Sequence, residues 1–446
     1  MNWQSRLLPF CGLILLLIVF YSEQITLSPA STDRVEVTLW DKYTDFEGEG
    51  LQKVVNAFNA SQNRIHVTFL SVSDVKTKVL MATSGGNPPD IAGLFGPDIA
   101  QYADAKALMP LDDFCREAGI GAERYIPIFW YICNYRGHTY ALPSAPGTTA
   151  LHYNVEAFRE VGLDPNKPPR TIEELDAYAE KLTKRDKEGT IIRAGFVHAE
   201  PGWWNWGWGN IFGGNLWDGK SKITANSPEN VRAFEWAQSY CKKYGLERLE
   251  SFRSGFGNFS SPQNSFLSQK VAMQIQGVWM DNFVRKYAPD VKYAVAPFPY
   301  PQDRPDLANS TYADTDIFAI PKGAKHPKEA FEFIKYMQSN IGMERLGLEH
   351  HIIASLNRTT PGFYKKHPHP YIRLFADLPR SKNSYFPPKL GIWREFEAEM
   401  SSAFDEIMLL KATPKGALDR VTVRMQSKLD AYLKALRLRA EDKVAP

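Results

Sequence analysis

Two sets of residues in this chain could do chemistry on a ligand. The first is the run from Gly202 to Trp217, where Trp203, Trp204, Trp206, Trp208 and Trp217 alternate with Gly and Asn. Five of the chain's 11 Trp lie here. So many indoles in so Gly-rich a stretch make an awkward core element. Indole faces beside side-chain amides match the apolar C–H faces and hydroxyl edges of a sugar. The expectation is two of the five facing ligand and the rest structural; the plainer reading is that Trp206 and Trp208 pack a helix. The second set is Asp314 and Asp316, two apart on a segment from Tyr312 to Pro321 that reads as a strand. They can share a face, and so could hydrogen-bond hydroxyls or an amine. A catalytic pair for glycoside hydrolysis would have to face each other across a bond at about 5–10 Å. No nucleophile elbow, HExxH or P-loop accompanies them.

The elements that position these residues follow from periodicity. Arg34 to Trp40 alternates polar and apolar, and Ile65 to Leu70 reads as a second strand. Between them Leu51 to Asn59 reads as a helix, with Val54, Val55 and Phe58 on one face. Strands separated by helices point to a mainly parallel α/β sheet. Ligands of such sheets bind beyond the carboxyl ends of the strands. Here that is the loop from Trp40 to Glu49, with Trp40, Thr44 and Glu47 as its candidates. Further along, Pro143 and Pro146-Gly147 read as turn formers before a short strand, Thr148 to Tyr153. Asn154 is placed to cap the next helix and Gly162 to end it. Thr171 with Glu174 predicts a capped helix from Ile172 to Leu182, and Ser227, Pro228 and Gly245 bound another.

Length and composition set the class. A chain of 446 residues is long for one core, so two lobes are expected. Hydrophobic content of 44% and charged content of 23% are those of a globular protein, and a net charge of +3 carries no nucleic-acid footprint. Residues 1–30 read as a signal peptide, with a short apolar run from Leu7 to Tyr21 and cleavage near Ser31; an uncleaved anchor is the alternative. Cys11 lies too early in that run to carry a lipid. Cys115, Cys133 and Cys241 read as buried small hydrophobes, and with their odd number at most one disulfide is possible. No cofactor or metal motif is present.

Five blocks in order, including "PPDI…YADAKALMPLDDF", "YALP…ALHYNVEAFREVGLDP", "GGNLWDGKSKITANSPENVRAFEW", "VAMQIQGVW" and "TPKGALDRVTVRMQSKLD", resemble the family 1 extracellular solute-binding proteins, relatives of maltose-binding protein. The resemblance implies an α/β, two-lobed periplasmic-binding-protein fold of class II with the ligand cleft between the lobes. It implies one lobe from 34–146 plus 278–314 and another from 147–277 plus 315–446, joined by crossings at 144–149, 272–277 and 313–318. It also places Asp98, Gly277, Trp279, Tyr312 and Trp393 at or near the ligand, with a helix cap as the plainer role for Asp98. Many members have Gly-Gly where this chain has Ala313-Asp314, which puts a backbone contact there in doubt. The implied function is extracytoplasmic or periplasmic capture of a carbohydrate by a monomer that delivers it to the permease subunits of an ABC importer. A carbohydrate-active hydrolase and an anchored scaffold are the alternatives, and glycerol phosphate or polyamines remain open as ligands.

Overall fold

The computed structural model describes residues 34–441; the expected signal segment lies outside them. In the first lobe β1 (Val35–Asp41), α1 (Asp45–Ser61), β2 (Ile65–Ser71) and β3 (Ile91–Phe95) form a parallel unit, with β1 between β2 and β3. Side chains alternate along β1: Val37, Leu39 and Asp41 point inward and are buried, while Trp40 sits on the opposite face.

The chain then crosses on β4 (Ala141–Asn154), a strand of 14 residues rather than a short one preceded by turns. Pro143 and Pro146 are tolerated because a bulge interrupts the pairing between them: Asp316 opposes Ala145 and Ile317 opposes Pro143, leaving Ser144 as the extra residue. The second lobe holds α2 (Ile172–Leu182), β5 (Ile191–Phe196), α3 (Pro228–Tyr244), β6 (Val271–Gly277), α4 (Met280–Tyr287) and β7 (Tyr293–Ala296). The expected caps are in place: Asn154, Thr171 and Ser227 accept from the N–H groups of Ala157, Glu174 and Asn230. Gly162 and Gly245 end their helices at positive φ, 73° and 81°.

A second crossing is β8 (Thr311–Ala319), antiparallel to β4 and, at its far end, to β3. After it α5 (Pro327–Met337) and α6 (Asn340–His350) pack on the first lobe, whereas α7 (Trp393–Met408) and α8 (Pro414–Glu441) belong with the second. The strand order is β2-β1-β3-β8-β4-β6-β5, so one curled sheet runs through both lobes, with parallel pairs in each lobe joined by antiparallel crossings.

This connectivity corrects the expected partition. Within residues 278–314, β7 pairs with Leu151–Asn154, and Ala296, Phe298 and Tyr312 lie in the second lobe's core, whereas α4 also touches the first lobe: the Asn282 amide donates to the His350 carbonyl and Phe283 meets Phe46. Residues 315–446 do not all join the second, because Phe318, Phe333, Met337, Leu346 and Phe363 complete the first lobe's core. The crossing expected at 272–277 is absent, since β6 pairs with Thr149–Tyr153 and with β5 and stays inside the second lobe. The resemblance to the family implied a crossing here; the strand's pairing on both sides decides otherwise. The return to the second lobe is made past Ile352, Phe375 and Leu378, which pack with Ala150 and Ala313 at the junction.

Among the described residues no helix is long and apolar enough to cross a membrane. Cys115, Cys133 and Cys241 are free and buried, so the possible disulfide is not formed. Thiol titration of protein lacking residues 1–30 is therefore expected to give no rapid reaction when native and three thiols after unfolding. A native count of one or more fast thiols would contradict this packing.

Candidate functional site

The cleft is built where the crossing strands meet the loops at the ends of β1 and β3. Its cavity is about 670 Å³ and is lined from both lobes. Lys42, Tyr43, Thr44 and Glu47 come from the loop after β1 and the start of α1; Trp203, Trp206 and Trp279 come from the second lobe; Tyr312, Asp314 and Asp316 come from β8; Arg394 and Glu397 come from α7.

Three ring systems form its aromatic wall. Trp203 lies 5.6 Å from Trp279 and 5.8 Å from Tyr312 between ring centroids, tilted against both. The indole N–H of Trp279 donates to Gln276 at 3.1 Å. Its ring also fits over Gly147 and Gly277, because a Cβ at Gly147 would lie only 2.9 Å from Trp279 and one at Gly277 would sit within the ring. Both glycines therefore place an indole rather than exposing backbone to a ligand.

The polar floor is a set of buried charges with assigned partners. Asp316 pairs with Lys42 at 2.7 Å and accepts the hydroxyl of Tyr43. Asp314 accepts the Tyr312 hydroxyl at 2.8 Å and the Thr315 N–H at 2.7 Å. Room for Asp314 comes from across the sheet, where a Cβ at Gly96 would lie 2.7 Å from its carboxylate. Burial, reinforced by Asp316, pushes the Asp314 carboxyl up to about 7, against the lowering effect of the Tyr312 hydrogen bond. Burial likewise lifts Glu47 to about 7 and Asp41 to about 6, with Lys42 opposing both shifts. Burial works against the charge on Lys42, but Asp316 and Asp41 outweigh it and hold its pKa above the ordinary value.

A further ion pair ties the lobes together at the cleft's edge. Asp98, in the turn after β3, is buried and accepts from Nε and Nη2 of Arg394 at 2.9 and 2.5 Å; Arg394 also donates to Glu397 at 2.8 Å. The Asp98 side chain makes no capping bond to the following helix.

The chain matches the family model described as bacterial extracellular solute-binding protein over residues 45–344. It belongs to that family. It is 23% identical to the maltotriose-binding protein of Pyrococcus abyssi over 311 residues, which span 68% of this chain and 63% of that protein, less than two thirds of the relative's length. It is 22% identical to the sn-glycerol-3-phosphate-binding periplasmic protein UgpB of Pectobacterium atrosepticum over 431 residues, 89% of this chain and 92% of that one. Among solved structures it resembles CpMnBP1 with mannotriose bound, at 27% identity and a TM-score of 0.76, over 89% of this chain and all of that one. UgpB from Mycobacterium tuberculosis, in complex with glycerophosphocholine, shares the fold at 18% identity and a TM-score of 0.73, over 90% of this chain and 99% of that one.

For this solute-binding protein the structure sorts the sequence candidates. Thr44, Glu47, Trp203, Trp206, Trp279, Tyr312, Asp314 and Asp316 line the cleft. Trp40, Asp98, Trp204, Gly277 and Trp393 do not. Trp40 packs beside Val72 and Leu80 on the outer face of the β1–β3 sheet. Trp204 and Trp393 are each 1% exposed and belong to the second lobe's core. Asp98 acts one step back, through Arg394, and Gly277 through Trp279. Lys42, Tyr43, His350, Arg394 and Glu397 line the cleft without having been singled out. Helical period would have found two of them: Trp393, Phe396, Met400 and Phe404 mark the inward face of α7, which leaves Arg394 and Glu397 on another. Nothing local signals His350, which reaches the site because Gly50 has no side chain in its way.

Two outcomes follow for this site. Asp98→Asn removes the charge that holds Arg394 between lobes, and a charge-assisted hydrogen bond is worth about 1.5–3 kcal/mol, with the low end suited to a partly exposed arginine. Denaturant unfolding should show that loss. In a double-mutant cycle with Arg394→Gln the two losses should fail to add; full additivity would mean the pair is not coupled. For Asp314 the sign is fixed by its raised pKa. From about pH 4 to pH 7 the folded protein keeps a proton that the unfolded chain has lost, so this group's contribution to stability falls as pH rises. The melting temperature of Asp314→Asn relative to the parent should therefore climb between pH 4.5 and pH 8. A flat difference would place Asp314 at an ordinary pKa.

Proposed function

We propose that the protein is an extracytoplasmic receptor that captures a short oligosaccharide between its lobes and delivers it to an ABC importer as a monomer. The observation that carries this reading is the pairing of an indole wall, Trp203, Trp206 and Trp279, with hydrogen-bonding carboxyls at Asp314 and Asp316. Aromatic faces take the apolar faces of pyranose rings, and carboxylates take their hydroxyls. The structures of one similar protein, CpMnBP1, with mannobiose and with mannotriose bound support the same class of ligand.

A phosphodiester fits less well. The buried cations at the cleft are already engaged, Lys42 by Asp316 and Arg394 by Asp98 and Glu397. Five carboxyls, Asp45, Glu47, Asp314, Asp316 and Glu397, line the cavity against three cations, Lys42, Lys76 and Arg394. An anion would enter that field at a cost. Charged solutes of the glycerophosphodiester kind are thus the second choice.

A thermal-shift screen with mannotriose, maltotriose and glycerophosphocholine tests this directly, because a ligand that binds only the folded state raises apparent stability. One of the two oligosaccharides is expected to stabilise the protein and to reduce its radius of gyration in small-angle scattering as the lobes close. Trp279→Ala should weaken that binding about tenfold, since a stacked aromatic contributes roughly 0.5–1.5 kcal/mol beyond its buried area. Stabilisation by glycerophosphocholine alone would reverse the choice.

A further inference from the structure

A second, smaller pocket of about 180 Å³ adjoins the cleft and shares Trp206 and Pro387 with the main cavity. It too is lined from both lobes: Tyr131 comes from the first, and Asn210, Asn215 and Trp217 come from the second. Lys389 bridges them. Its ammonium sits 3.7 Å from the centre of the Tyr131 ring and donates to the backbone carbonyls of Tyr131, at 2.6 Å, and of Asn134.

The pocket's groups suit a hydroxylated ring. Trp217 offers a half-buried indole face, with Trp206 on the side of the main cleft. Asn210 uses its amide nitrogen on Gly207 at 3.3 Å, while its side-chain oxygen has no partner among the described residues. The side-chain amide of Asn215 is likewise unengaged there and exposed. An oxygen acceptor and a complete amide beside aromatic faces can take neighbouring hydroxyls. The ammonium of Lys389 is already spent on two carbonyls, so the pocket does not call for a charged group.

Resting on the carbohydrate reading of the main cleft, we infer that this pocket is an additional subsite that receives one further uncharged sugar unit of a longer oligosaccharide, beyond the units held against Trp203 and Trp279. Because its walls come from both lobes, the unit bound there is clamped by the same closure that encloses the rest of the ligand.

Calorimetric titration with mannobiose and mannotriose, and with maltose and maltotetraose, tests the inference. In the binding series the longer member should bind about tenfold tighter than the disaccharide. Trp217→Ala should remove most of that advantage while leaving disaccharide affinity within about twofold, and Asn210→Ala should remove part of it. The unchanged disaccharide affinity shows that each variant is folded and its main cleft intact. Equal affinity of short and long members in the parent protein overturns the subsite. So does an equal loss for both members in Trp217→Ala, provided that Asn210→Ala behaves the same way. If no member of either series binds at all, the carbohydrate reading itself falls and takes the subsite with it. Binding that depends on length but is indifferent to both variants places the extra unit elsewhere.

Discussion

The antiparallel pairing of β4 with β8 is the constraint on which the rest depends. These two strands run through both lobes, and their backbone hydrogen bonds make one sheet of what would otherwise be two. The same pair carries the site: Asp314 and Asp316 stand on β8 opposite Gly147 and Ala145 on β4. Next to the Asp316–Ala145 pair sits the bulge at Ser144. A bulge adds twist and re-aims side chains, which suits a strand that must leave one lobe and enter another while presenting two carboxyls to the cleft. Any rotation of the lobes about this pair must therefore change the position of those carboxyls relative to the indoles of the second lobe. Binding and closure are coupled through covalent geometry, with no separate relay.

The cost of that arrangement is charge in a dry place. Asp41, Glu47 and Asp314 all carry pKa values raised by burial. They are held there by a cradle of missing side chains as much as by partners: a Cβ at Gly93 would collide with Asp41, and one at Gly96 with Asp314. Desolvated carboxyls that are only part-satisfied inside the protein gain hydrogen bonds when a polyhydroxylated ligand arrives. The site is in this sense destabilised when empty, as functional sites often are.

Much of this was legible in the sequence, and the failures share a cause. Caps at Asn154, Thr171 and Ser227 and the strands around Val37, Val67 and Met273 are local, and local chemistry identified them. The aromatic segment was legible in kind, but its sorting was not. Trp204, Trp206 and Trp208 are all buried in the second lobe's core and Trp203 is half-buried, yet only Trp203 and Trp206 reach the cleft. Counting indoles does not reveal that difference. Trp40 and Trp393 were misplaced for the same reason, since strand period turns Trp40 to the face opposite Leu39 and Asp41 and helix period turns Trp393 into the core. The lobe partition failed at longer range. Which half of the molecule receives residues 278–314 depends on the pairing of Tyr293–Ala296 with Leu151–Asn154, and no local pattern specifies a partner strand.

The contacts that span the lobes give the last step. Asp98 with Arg394, Lys389 with the carbonyls of Tyr131 and Asn134, and Tyr432 with Asp104 and Tyr135 all join residues on opposite sides of the junction. Such contacts favour the lobe arrangement that makes them, before any ligand is present. A ligand can shift the equilibrium between open and closed states only by its differential affinity for the two. The more the protein's own contacts favour closure, the less binding energy is used in closing and the more appears as affinity. The opposing term is the same set of contacts, because release requires breaking them. Three polar links, each partly solvated, are therefore better suited to a receptor than one apolar interface would be. They bias the hinge by a few hydrogen bonds' worth of free energy and can still be exchanged for water when the solute is handed on.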